Sequence, residues 1–223
     1  MQDLSTFNFN ERRLLGIFDG RTCFPKAFWR LLGRGDGNKY MPSHQSQFSD
    51  EDYVATGAEC GCVLVRTLKT VKGLKLELDA NGMYKCNVCA KNGGGNPHER
   101  EMLNKVKDVV ACRKERIIVC CQVPLVGVDA SLRCDVVLVP CAAGVVSDLI
   151  AVELDSFDHE LNPHRYGRDL STAASAVAVS DARKADAVAK AGMRFLRVKK
   201  SDRDDSWIPE LNCMLDSLAL NSM

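Results

Sequence analysis

Three carboxylates stand on two short apolar segments of this chain. One segment is Arg133-Cys134-Asp135-Val136-Val137-Leu138-Val139, and the other is Leu149-Ile150-Ala151-Val152-Glu153-Leu154-Asp155. The β-branched residues around each acid predict strands. A carboxylate buried among them is unfavourable unless something pairs with it. Laid side by side, the two strands would gather Asp135, Glu153 and Asp155, and such a group is the usual grip on a divalent metal. Leu154 separates Glu153 from Asp155, so those two acids point to the same sheet face. Phosphodiester hydrolysis needs an activated water and charge neutralisation at the phosphate, and a divalent ion supplies both. Mg²⁺ binds through one or two carboxylates and keeps waters for the reaction, which Asp135 and Glu153 would suit. The same spacing also fits a solvated sheet face whose acids pair with arginines.

A second group of residues is made of sulfur. Cys60-Gly61-Cys62 and Cys86-Asn87-Val88-Cys89 offer four thiolates, the tetrahedral set of a structural Zn²⁺ site. The later pair has the common two-residue knuckle spacing, whereas the earlier pair has one residue between. His44 or His98 is an alternative fourth ligand. Reduced, buried cysteines are the competing account. Cys112, Cys120, Cys121, Cys134 and Cys141 lie in or beside apolar runs, where packing explains them better. Arg66, Lys69, Lys72 and Lys75 follow the first pair and would supply phosphate contacts if this segment meets nucleic acid.

The elements that must hold these groups are readable from Asn96 onward. Asn96 suits an N-cap, Pro97 the first helical position, and Glu99 the acid of a capping box. Met102, Leu103, Val106, Val109 and Val110 follow at helical spacing. An apolar run, Ile117 to Val123, is expected to end at Pro124. The two acidic strands come next, separated by a Pro140–Gly144 loop. After a polar stretch at about 157–170, an Ala/Ser/Val segment has helical character. Ser180 is expected to cap a helix from Asp181 to Ala191, with Gly192 as its stop. Met193 to Val198 alternates as a last strand. The order is helix, three strands, helical region, strand, an α/β or α+β domain. Before Asn96, Phe24–Leu32 suits a short helix stopped by the Gly33–Gly37 run, and Lys91–Gly95 suits a hinge. Three regions are therefore expected: 1–57 of unclear structure, 58–92 as a small zinc-ribbon-like module, and 96–223 as the main domain.

Whole-chain properties bound the answer. The 223 residues carry 46% hydrophobic and 26% charged residues, a globular composition rather than a disordered one. The formal net charge of +1 gives no global basic field, though a local basic face remains open. No signal peptide and no membrane span are read, so the expected location is intracellular and cytoplasmic. Eleven cysteines in that setting point to thiols or metal rather than disulfides.

Taken in order, the residues resemble the PD-(D/E)XK nuclease superfamily, which has a restriction-endonuclease-like αβββαβ core. The likeness is to the branch of very-short-patch repair endonucleases and related uncharacterised bacterial domains. It rests on Asn96-Pro97-His98-Glu99 opening a helix, Arg133-Cys134-Asp135, Glu153-Leu154-Asp155 followed by His159, Asp181 and Lys184, Ala191-Gly192, and Leu196-Arg197-Val198. It covers about residues 96–200. The resemblance implies that Asp135 and Glu153 ligate Mg²⁺ or Mn²⁺, with Glu99 completing the acidic cluster. Asp155 stands where the superfamily carries a lysine, and this branch often has an acid there. Lys184 or His159 would then compensate, His159 as a base near neutral pH. Arg197 would bind a phosphate. The implied activity is metal-dependent DNA endonuclease, with a structural Zn²⁺ module helping to hold the substrate and a homodimer as one way to cut both strands. Two alternatives stand beside it: a non-cleaving nucleic-acid-binding domain on the same fold, RNA-directed or not, and a zinc-stabilised protein-interaction module.

Overall fold

The computed structural model describes residues 25–32, 53–57, 60, 62–67, 89, 97–141, 143–154, 170–199 and 205–220. In chain order the elements are helix α1 (Lys26–Leu31), strands β1 (Tyr53–Gly57) and β2 (Val63–Thr67), helix α2 (Pro97–Ala111), strands β3 (Ile117–Leu125) and β4 (Asp129–Pro140), a 3-10 turn at Val146–Asp148, strand β5 (Ile150–Leu154), helix α3 (Leu170–Ala191), strand β6 (Arg194–Val198) and helix α4 (Ile208–Leu220). The strands form one six-stranded mixed sheet in the order β1-β2-β3-β4-β5-β6. The fold class is α+β, with parallel pairing at β2·β3 and β5·β6 and antiparallel pairing elsewhere.

Each face of the sheet has its own apolar layer. Leu64, Val119, Val136, Ile150, Val152 and Leu196 face α2 and α4, through Leu103, Val106, Leu211 and Leu215. Val65, Cys120, Val137 and Ala151 face α1 and α3, through Phe28, Leu31, Ala187 and Val188. Period-2 alternation along each strand sends neighbours to opposite layers, so a sheet covered on both faces needs nearly unbroken apolar strands. The runs Ile117–Cys121 and Val136–Val139 are of that kind. On α4, Leu211, Leu215 and Leu218 recur at helical spacing and form its buried stripe. Polar clamps fix α4 in place. Arg113 reaches Asp216 and the Asn212 side chain, and Arg194 reaches the Met214 carbonyl and Ser217.

Three expectations change. Helix α3 begins at Leu170 and passes straight through Ser180, which is exposed and does not cap a helix. A serine that faces solvent leaves the backbone ladder intact, so it does not interrupt. Strand β3 continues through Pro124 to Leu125, because the missing N–H falls beside a register shift at Pro124/Leu125. The strands flanking Cys60 and Cys62 extend the main sheet, with Val63 and Leu64 paired to Cys120 and Cys121, so the cysteine-bearing segment shares the central core. Asn96 and the Lys91–Gly95 stretch lie outside the described residues.

The Gly192 stop is as expected. Its φ is +76°, Gly192 N–H donates to the Ala189 carbonyl at 2.9 Å, and Met193 N–H donates to Val188 at 3.3 Å. These are the two bonds of a Schellman motif, closed by buried Val188 and Met193 in one layer. The motif turns the chain directly into β6, parallel to β5. A Cβ at Gly192 meets no neighbour, so only the left-handed backbone opposes it. Gly192→Ala is expected to lower stability by about 1 kcal/mol in urea unfolding, with the slope unchanged. An unchanged midpoint would contradict that reading of the turn.

Candidate metal and acid site

Glu153 is the one buried charged side chain among the described residues, 5% exposed. It is the one polar residue of an otherwise apolar strand, and the β4·β5 register explains its neighbour. Val136 pairs with Val152, so Asp135 and Glu153 face each other across the antiparallel ladder. The Asp135 backbone N–H donates to Glu153 Oε1 at 3.2 Å. Lys184 Nζ donates to the other oxygen, Oε2. Lys184 sits within the continuous helix α3, on the Ala187–Val188 face that packs on the sheet. Strand and helix thus deliver two acids and one cation to one place.

The electrostatics follow from burial. Desolvation, then the adjacent Asp135 charge, pushes the Glu153 carboxyl up to about 8 against the pull of Lys184. Burial opposes the charge on Lys184, but Asp135 and Glu153 together outweigh it and its pKa is raised. Cys134, buried between them, has its thiol pushed far up by desolvation and by the Glu153 charge. It is a neutral packing residue there and not a nucleophile. While Glu153 keeps its proton the site has no excess negative charge, and only loss of that proton leaves one that a further cation could balance.

Glu99 is half-buried in the first turn of α2, which packs on the opposite layer from α3. Arg197 lies beside Glu153 in the parallel β5·β6 register, is exposed, and pairs with Asp181 of α3. Arg183 pairs with Asp129 and Ser131, pinning the β3–β4 turn to α3. Asp155, His159 and Cys86 lie outside the described residues, as do His44, Lys69, Lys72 and Lys75. Sequence reasoning passed over Gln122. Its Nε2 donates to Asp135 Oδ1 at 3.4 Å, and its φ of 55° is left-handed. The available sign was one polar residue inside the apolar run Ile117–Val123.

The thiol cluster is real for the described residues. The sulfurs of Cys60, Cys62 and Cys89 all lie within 4.8 Å of one another. Cys62 Sγ and Cys89 Sγ are 3.6 Å apart, far beyond the S–S bond length of about 2.05 Å. Tetrahedral zinc with Zn–S of about 2.3 Å needs sulfurs about 3.8 Å apart. The donor chemistry and spacing therefore fit a metal such as zinc. Packing accounts for Cys120, Cys121 and Cys134, all fully buried, but not for Cys112, which is exposed at the end of α2. No helix among the described residues is long and apolar enough to cross a membrane. Comparison with family models, with curated proteins and with solved structures returns no match. The chemistry must therefore be read from the site itself.

Two measurements follow. The purified protein is expected to carry about one zinc ion per chain by elemental analysis, lost on Cys60→Ser or Cys89→Ser together with thermal stability. Retention of zinc by both variants would reject the cluster. Glu153 also sets a pH dependence. Unfolded, it titrates near 4.5, and folded near 8. Between these values the folded state keeps a proton that the unfolded state releases, so stability is greatest below the window and falls as pH rises through it. Lys184 stays charged throughout. Without added Mg²⁺ or Mn²⁺, urea unfolding should show stability falling from pH 5 to 8, by at most about 1.4 kcal/mol per pH unit. Glu153→Gln should flatten the slope, and a wild-type profile that rises over this range would refute the assignment.

Proposed function

We propose that the chain is a metal-dependent endonuclease of the PD-(D/E)XK type, hydrolysing DNA phosphodiester bonds. The observation that carries this reading is the meeting of Asp135 and Lys184 on buried Glu153. The element order from α2 to β6, αβββαβ, agrees with it. So does the source of the cation: Lys184 reaches Glu153 from helix α3, while the sequence carries Asp155 where the superfamily has its lysine.

Asp135 and Glu153 would hold a Mg²⁺ or Mn²⁺ ion. When bound, the ion supplies an activated water and neutralises charge on the phosphate. The chain's own groups do the rest. The Asp135 N–H holds one Glu153 oxygen in place and so orients the carboxylate across the ladder. Lys184 keeps its charge at neutral pH and provides a fixed ammonium beside the acids, suited to steady the negative charge that builds on a phosphate under attack. Arg183 and Arg197, held by acids on the rim, offer guanidinium groups for backbone phosphates once those pairs exchange. The cysteine cluster would hold zinc as a structural brace for the edge of the sheet, with half-buried Arg66 on β2 close by in sequence.

One observation favours a second reading. Both Glu153 oxygens already have donors, so the ion pair with Lys184 is also a closed, self-sufficient arrangement. A non-cleaving nucleic-acid-binding domain would look the same. Incubation with supercoiled or branched DNA in Mg²⁺ or Mn²⁺ separates the two. Cleavage is expected, lost on Asp135→Ala or Glu153→Ala and reduced roughly 10²–10³-fold on Lys184→Met. Equal activity of wild type and the acidic variants would reject catalysis. Binding that needs no divalent metal and weakens with salt would then support the second reading.

A further inference from the structure

Strand β3 carries its one left-handed residue opposite Asp135. The pairs Cys121↔Val136 and Val123↔Cys134 bracket Gln122 and Asp135, which face each other between them. On both strands the alternation between core layers breaks at this pair. Cys120 and Cys121 lie in different layers, as do Val136 and Val137. Strict alternation would then return Val123 and Cys134 to the layer of Cys121 and Val136. Instead both lie with Cys120 and Val137, against α1 and α3. The phase slips by one residue on each strand, so the pairing register survives while the side-chain sequence shifts.

Such a slip is unfavourable for Gln122. Its φ of 55° is a conformation that glycine or asparagine adopts readily and glutamine does not. An apolar pair in regular β geometry would continue the core without strain. The two residues at the break are instead the polar ones, joined by the Gln122 Nε2 to Asp135 Oδ1 contact at 3.4 Å. An ionised carboxylate only accepts, so the amide must turn its NH₂ toward it. The amide is neutral. It can orient Asp135 without adding charge, whereas Lys184 brings a positive charge to Glu153.

We propose that Gln122 is a positioning residue for the Asp135–Glu153 site, its strained backbone kept because it aims a neutral donor at Asp135. The proposal rests on the metal-dependent reading above and adds a residue to that site. Outer partners of metal-holding carboxylates commonly change metal affinity or activity by about 10–100-fold.

Gln122→Gly separates orientation from fold, since glycine keeps the left-handed backbone, relieves its strain and removes the amide. Gln122→Asn keeps an amide and tolerates the same backbone. Mn²⁺ binding, followed by the loss of free-ion paramagnetic resonance, is measured beside urea unfolding and DNA cleavage. The Gly variant is expected to unfold at the same or higher urea concentration than wild type. It should bind Mn²⁺ about 10–100-fold more weakly and lose kcat by a similar factor, with KM for DNA nearly unchanged. The Asn variant should recover part of both losses. Wild-type Mn²⁺ affinity in the Gly variant would overturn the proposal. So would a Gly variant whose stability and affinity fall together with no rescue by Asn, because Gln122 would then be structural only. A wild type that binds no Mn²⁺ rejects the metal reading itself, and this proposal with it, before any variant is compared.

Discussion

A carboxylate inside a six-stranded sheet is the constraint around which the described structure is arranged. Glu153 has little access to water, so each of its oxygens needs a donor from the protein. One donor is a backbone N–H on the neighbouring strand, which is available only in the register that sets Val136 beside Val152. The other is Lys184, which reaches β5 because α3 crosses the sheet and packs with Ala187 and Val188. The Schellman stop at Gly192 then returns the chain beside β5 as β6. Register, helix placement and turn are thus tied to one buried charge. Breaking such a pair by removing one partner commonly destabilises by about 3–5 kcal/mol, because the other charge is left buried.

The second organising feature is the double-faced core. Both layers are dense with aliphatic side chains, and the strands between them tolerate few polar residues. Where polarity enters, it enters in opposed pairs: Gln122 with Asp135, then Asp135 with Glu153. Four neighbouring strands each contribute one polar residue to a single transverse row, which Arg197 on β6 continues past Glu153 to the exposed rim. That arrangement concentrates the unfavourable desolvation in one place instead of scattering it through the core. The cysteine cluster lies on the other side of β3, at the start of β2, and packs against the layer shared by α2 and α4. A metal there would brace the edge strands without touching the acids on β4 and β5.

Much of this could be read from residue order. Pro97 opens α2, the apolar runs mark β3 to β5, and Gly192 ends α3. These depend on local chemistry: a missing N–H at N1, β-branched packing, a left-handed glycine. The pairing of Asp135 with Glu153 was also readable, because each acid interrupts an apolar strand. Of the four thiols read as a possible metal set, Cys60, Cys62 and Cys89 do cluster, as their type and spacing indicated, and Cys86 lies outside the described residues. The full length of α3 was not, since Ser180 resembles a cap when nothing shows that it faces water. The continuation of β3 past Pro124 was hidden for a similar reason. Proline forbids a ladder bond, but only the partner strand reveals that none is required at that point.

By itself, then, the sequence determined which residues carry charge or sulfur and which short segments are strands or helices, because those follow from side-chain type and local spacing. Only the tertiary structure decided the connections. It joined β1 and β2 to the main sheet, brought Lys184 to Glu153 across a separation of 31 residues, and set Gln122 opposite Asp135 with a left-handed backbone. Each is a long-range pairing whose energy comes from burial and register. A linear pattern of residues does not carry that information, because the same carboxylate is solvated on an exposed face and costly only when a second layer closes over it.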